Sequence, residues 1–157
     1  MQLKKPELEF AFSMELEFPP QERIRFQPDS HDFTRGFVAV AGGKIWGPML
    51  NGRVVAGSGG DWPRIWKSGL FEFEAHYMLE AEDGTPIYIH NCGIAFASPD
   101  TIRMIEQGQH PTEAPYCRIT PRFEAPQGPY GWLNKKIIVG TSERRGNKSV
   151  FDYYVVN

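Results

Sequence analysis

Leu8, Phe10, Phe12, Met14 and Leu16 alternate with Glu9, Ala11, Ser13 and Glu15, the two-residue period of a strand with one buried face. Further strand-like runs cover residues 23–26, 36–41, 52–56, 70–81, 86–95, 116–123, 135–142 and 150–156. Gly, Pro, Asp or Asn punctuates nearly every gap between them, as turn chemistry requires. One segment has a different period. Ser98-Pro99-Asp100 reads as an N-cap with proline in the first turn, Ile102 and Ile105 sit three apart, and Gly108 stops the run, which predicts a short helix over 99–107. The loop after it, through Pro111 and Pro115, is expected to be irregular. About nine strands with no strand–helix alternation predict an all-β fold, an antiparallel barrel or sandwich rather than an α/β sheet. A closed or nearly closed barrel of about eight to ten strands is preferred, because closure removes the edges that many short strands would expose. The helix then packs over an end or flank.

One hairpin is legible in detail. Glu82-Asp83-Gly84 fits a three-residue loop closed by a left-handed glycine, which pairs Ala81 with Thr85. That register puts Phe71, Phe73, Ala75, Tyr77 and Leu79 on one face with Ile87, Ile89 and Asn91. Glu72, Glu74, His76 and Met78 share the other face with Tyr88, His90 and Cys92. A two-residue turn would mix apolar and charged side chains on both faces. Either the aromatic face lines the lumen and the Glu–His face meets solvent or a partner, or Glu74, His76, Tyr88 and His90 line a polar pocket.

The chain has 157 residues and a net charge of −2. One domain, 1–157, is expected, large enough to bury about two thirds of its unfolded surface. The charge offers nothing to nucleic acid or an anionic membrane. No apolar run approaches about 18 residues and the N-terminus has no leader pattern, so a cytoplasmic protein is expected. Cys92 and Cys117 are then expected as thiols. Glycine loops for phosphate and nucleophile elbows are missing.

Two clusters carry the candidate chemistry: Trp46-Gly47-Pro48-Met49-Leu50-Asn51-Gly52 with Gly59-Gly60-Asp61-Trp62, and residues 116–124 with Tyr130-Gly131-Trp132-Leu133-Asn134. Each sets turn formers beside aromatics and single polar groups, a mixture suited to a barrel mouth around a ligand. Asp61, approached through flexible glycines, is a candidate acid or base whose pKa desolvation would raise, or a carboxylate that only caps a turn. Asn51 either offers an amide to a ligand carbonyl or bonds its own loop. Arg118 could clamp a carboxylate or enolate, or pair with Glu124. Trp62, Tyr88, Tyr130 and Trp132 have the size and polar tips of pocket walls, or of core filling. Asn51, Asp61, Trp62, Arg118, Glu124 and Trp132 are expected to converge on one cavity. Asp61 with His31 or His76 could form a proton-transfer dyad. His76, His90 and Cys92 form a soft trio, but no metal is assigned, since histidines outside metal sites are far commoner.

Together with Glu82-Asp83-Gly84 and Ile87-Tyr88-Ile89, these clusters resemble the family called domain of unknown function 3237, over about residues 6 to 156. The resemblance implies a lipocalin-like (calycin-type) β-barrel and says little about chemistry. Three functions stay open. The first is an enzyme acting on an aromatic or polyketide-like carbonyl compound by proton transfer (isomerase, cyclase or lyase type), with Asp61 as acid or base, Arg118 and Asn51 holding an enolate, and no cofactor. The second is a carrier with the same cavity, binding a small hydrophobic or aromatic ligand. The third is an interaction module using the Glu–His face. No nucleic acid or membrane is expected as a partner; a homo-oligomer, first of all a dimer, is left open.

Overall fold

A computed structural model of the chain describes residues 3–20, 23–107, 109 and 114–157. Its strands are β1 (Leu8–Glu17), β2 (Arg23–Phe26), β3 (Phe33–Ala39), β4 (Gly42–Trp46), β5 (Gly52–Val54), β6 (Gly60–Asp61), β7 (Arg64–Trp66), β8 (Leu70–Ala81), β9 (Pro86–Phe96), β10 (Tyr116–Ile119), β11 (Arg122–Glu124), β12 (Ile137–Arg145) and β13 (Lys148–Val156), with one α-helix, α1 (Pro99–Glu106), among the described residues. Every strand pair is antiparallel. The ladders run β8, β9, β10, β12, β13, β1, β4, β5 and back to β8, the circuit of an antiparallel barrel. Along the same edge of β8, β6 and β7 continue where β5 stops; β3 lies on them and β2 on β3.

The 82–84 turn sets the register of the longest hairpin. Gly84 has φ +84°, and Ala81 N–H donates to Thr85 O at 2.9 Å. Leu79 therefore faces Ile87, Tyr77 faces Ile89, Ala75 faces Asn91 and His76 faces His90. Ala75, Tyr77, Leu79, Ile87, Ile89 and Asn91 are buried. Apolar side chains from around the circuit meet in the lumen: Phe12 stacks on Tyr153 with centroids 4.7 Å apart, and Met14, Leu16, Ile119 and Ile138 complete the packing. The Glu–His face lies on the outside of the barrel wall, opposite the lumen-facing Ala75, Tyr77, Leu79, Ile87 and Ile89.

Four sequence expectations need correction. The register of β1 against β13 slips between Phe10 and Phe12, so Leu8 and Phe10 are exposed and do not share the buried face of Phe12, Met14 and Leu16. A bulge of this kind turns the strand by one residue. Three short strands, β4, β6 and β7, lie outside the expected runs, and β4 and β6 occupy glycine-rich stretches where glycine reads as turn. At Gly59 and Gly60 its purpose is close approach: a Cβ would lie 1.8 Å from His76 O and 2.4 Å from Phe37 Cε2, respectively. The 116–123 run divides at Pro121, which has no N–H for the ladder. The final hairpin reaches farther than expected, to Arg145 and back from Lys148.

The helix begins as expected. Ser98 Oγ accepts the Thr101 N–H at 3.1 Å, a side-chain cap on an otherwise orphan donor. Gly108 and Pro111 lie outside the described residues. Among the described residues no helix is long and apolar enough to cross a membrane, and both cysteines are free thiols.

Candidate functional site

Asp61 ends β6 opposite Ala75, a lumen-facing position, so its side chain starts on the inner face of the sheet. Two residues later Pro63 interrupts the pairing before β7, and Asp61 Oδ1 accepts the Glu74 N–H at 3.2 Å. Burial, only partly offset by the Glu74 and Trp62 N–H groups, raises its pKa from 3.8 to about 6. The direction of the shift is the one desolvation predicts, and the N–H that Asp61 accepts belongs to β8 across the ladder, not to a turn of its own. Neither proposed dyad forms. His31 Nδ1 bonds Asp29 O at 2.7 Å within its own turn, and His76 stands on the opposite face of the sheet from Asp61.

The six residues expected around one cavity do not converge. Asn51 closes its own loop, donating from Nδ2 to Gly47 O at 2.8 Å and accepting the Gly47 N–H at 3.2 Å. Its neighbour Gly52 pairs with Ala81, six residues along β8 from the Ala75 partner of Asp61, about 20 Å at the rise of a strand. Arg118 faces outward opposite Ile94; its guanidinium donates to Cys117 O at 2.7 Å and lies over the Tyr116 ring at 4.7 Å. No pair forms with Glu124. Tyr130 and the 3-10 segment Gly131–Asn134 bring Tyr130 and Trp132 against the core as packing. The composition of the two clusters does not say which face a strand residue takes, and alternation sends Asp61 inward and Arg118 outward.

A different set does assemble, on the outer surface of β3, β6, β8, β9 and β11. Trp62 packs on Phe37 with centroids 5.1 Å apart and meets His76 edge-on at 6.0 Å. His76 stacks on His90 at 4.0 Å and 13°. The Tyr88 hydroxyl is hydrogen-bonded to His76 Nδ1. His90 Nε2 lies 2.9 Å from Cys92 Sγ and 3.6 Å from Glu74 Oε1. Arg122 and Glu124 continue the face opposite His90 and Tyr88. Burial first, then the neighbouring His90, lowers the His76 pKa below its ordinary 6.5. Burial first, then Glu74, raises that of Cys92.

Beside this polar set runs an apolar groove of about 460 Å³, lined by Ile24, Phe26, Arg35, Gly36, Phe37 and Trp62. Trp62 belongs to both. Arg35 ties its strand to the groove by donating to Trp62 O at 2.8 Å. Thus Trp62, Tyr88 and Glu124 of the sequence candidates join one surface. The groove residues Ile24, Phe26 and Phe37 escaped sequence reading; the signal was there in the 23–26 run, whose apolar residues alternate toward a face that β3 shares.

The family model described as "Protein of unknown function (DUF3237)" matches residues 6–156. The chain belongs to this family. A relative, the UPF0311 protein RPA1785 of Rhodopseudomonas palustris (strain ATCC BAA-98 / CGA009), is 32% identical over 124 residues, 78% of this chain and 80% of its own. Among solved structures, a beta-barrel like protein (ABAYE2633) from Acinetobacter baumannii AYE superposes with TM-score 0.86 at 27% identity, covering 99% of both chains. A protein described as an enzyme from Penicillium herquei gives TM-score 0.69 at 23% identity, covering 100% of this chain and 98% of that one, a likeness of fold alone. The DUF3237 chain is thus an antiparallel β-barrel whose richest chemistry sits on the outside wall.

Proposed function

We propose that the chain is a cytoplasmic enzyme that takes an aromatic or polyketide-like carbonyl compound into the groove beside Trp62 and moves a proton on it, as an isomerase, cyclase or lyase does. The observation that carries this reading is the continuity of the apolar groove with the Tyr88–His76 pair through the Trp62 ring. An aromatic ligand stacked in the groove extends over His76 toward the Tyr88 hydroxyl. Tyr88 takes a proton from the substrate as it hands its own to His76 Nδ1, and the reverse transfer returns a proton at a second position, so the pair ends as it began. The acid–base role thereby passes from Asp61 to this pair, and no role remains for Arg118 or Asn51. A fold shared with a protein described as an enzyme admits catalysis without specifying it. The net charge of −2 argues against nucleic acid as the ligand.

The test is proton exchange. With hydroxyacetophenone in deuterium oxide, NMR should record saturable loss of the acidic C–H signal, abolished in Tyr88→Phe and unchanged in Arg118→Ala and Asn51→Ala. Saturable binding with no exchange above buffer would replace the enzyme by a carrier.

A further inference from the structure

The β8–β9 ladder carries more donor atoms on its outer face than its hydrogen bonds can use. His76 stands opposite His90, and Glu74 opposite Cys92, one step along the same face. The nearest ligand atoms of Glu74, His76 and His90 all lie within 4.8 Å of one another. His90 Nε2 is approached by two groups, Cys92 Sγ at 2.9 Å and Glu74 Oε1 at 3.6 Å. A ring nitrogen has either one hydrogen or one lone pair. As N–H it serves one of these neighbours; as a lone pair it accepts from the thiol and sets one acceptor against another at the Glu74 carboxylate. A cation among the four groups satisfies them together.

We infer that this face is a binding site for a zinc-class divalent transition metal, with Glu74, His76 and His90 as ligands and the Cys92 thiolate, which touches His90 Nε2 but stands outside that three-residue cluster, drawn in as the fourth. Two imidazoles, a carboxylate and a thiolate form the borderline-soft donor set that tetrahedral zinc takes, whereas calcium and magnesium call for oxygen alone. A metal-bound imidazole donates its other N–H to an oxygen, and the Tyr88 hydroxyl already sits on His76 Nδ1, leaving Nε2 for the metal. Zinc–ligand distances of about 2.0–2.3 Å require the set to draw in. Glu74 can move to do so, because its side chain is 48% exposed, while the two histidines are held by the register of a long hairpin.

The inference goes beyond the proton-exchange reading and shares His76 with it. A metal on Nε2 makes Nδ1 a donor to Tyr88, so the loaded protein cannot run that relay, and the two readings fail separately. The probe is cobalt(II), added to chelator-stripped full-length protein. One equivalent should bind with the visible bands of a tetrahedral ion and a near-ultraviolet thiolate band, and zinc should displace it. Cys92→Ser should lose the thiolate band and keep the visible bands; Cys117→Ser should change neither. His90→Gln should weaken binding by at least roughly 100-fold, with circular dichroism confirming that it folds. Tyr88→Phe, which keeps the packing, should weaken it by roughly 10-fold. A hydrated octahedral spectrum, a stoichiometry well below one, or equal affinity in His90→Gln would overturn the site.

Discussion

His76 and His90 sit directly opposite each other on β8 and β9, their rings stacked 4.0 Å apart. That contact depends on a turn that begins six residues after His76 and ends six residues before His90, because pairing Ala81 with Thr85 decides which residues meet all along the hairpin. Gly84, at φ +84° with nothing within 4 Å of the position a Cβ would take, carries this register by conformation alone. Gly84→Ala is expected to destabilise the chain by about 1 kcal/mol and leave the outer face unchanged, as urea unfolding and the histidine ring signals would report.

Gly59 makes the opposite case. No unusual φ protects it, yet a Cβ there would come 1.8 Å from the His76 carbonyl oxygen. Gly59→Ala must push β6 away from β8, costing about 3 kcal/mol and separating Trp62 from His76. Unfolding measurements together with a red shift of tryptophan emission would check it; a cost below that of Gly84→Ala would contradict the packing.

The pH dependence of stability isolates Asp61. Its folded pKa of about 6 lies above its ordinary 3.8, so the folded state holds the proton more tightly than the unfolded one. The stability this gives is fully present below the ordinary pKa and is lost as the pH rises through about 6. Relative to Asp61→Asn, which keeps the acceptor for the Glu74 N–H, the wild type should lose about 1–2 kcal/mol between about pH 4 and pH 7, the partial exposure of the group limiting the effect. A difference that stays flat across that range would show that the carboxyl is well solvated.

The hairpin and the cap at Ser98 were legible in the sequence because each is a local rule: one turn type, one side-chain oxygen three residues from an amide. The buried face of β1 was legible only from Phe12 onward, since the bulge at Phe10 answers to β13 and not to its own neighbours. Short strands such as Gly42–Trp46 were missed because glycine serves close approach between strands as well as turns. The site followed the same division. Asp61, Trp62, Tyr88 and the His76, His90, Cys92 trio were visible as chemistry. Their sorting was not, because Asn51 spends its amide on Gly47 and Arg118 its guanidinium on Cys117 and Tyr116, contacts that depend on which way each strand faces.

Core truncation gives a prediction of another kind. Phe12 is fully buried, stacked on Tyr153 and edge-on to Phe123 at 6.1 Å. Phe12→Ala is expected to cost about 3–5 kcal/mol and to leave cobalt binding on the outer wall intact at temperatures where the variant remains folded. Loss of metal binding in a folded Phe12→Ala would tie the outer wall to the lumen.

On the proposed function, ligands engage the outside wall of the barrel at Trp62 and not its lumen. NMR shift mapping with hydroxyacetophenone tests it most directly. Saturable changes are expected at the Trp62 indole, Phe37, the His76 ring and Tyr88, with Tyr77 and Tyr153 undisturbed. Changes centred on Tyr77 and Tyr153 with Trp62 silent would contradict it.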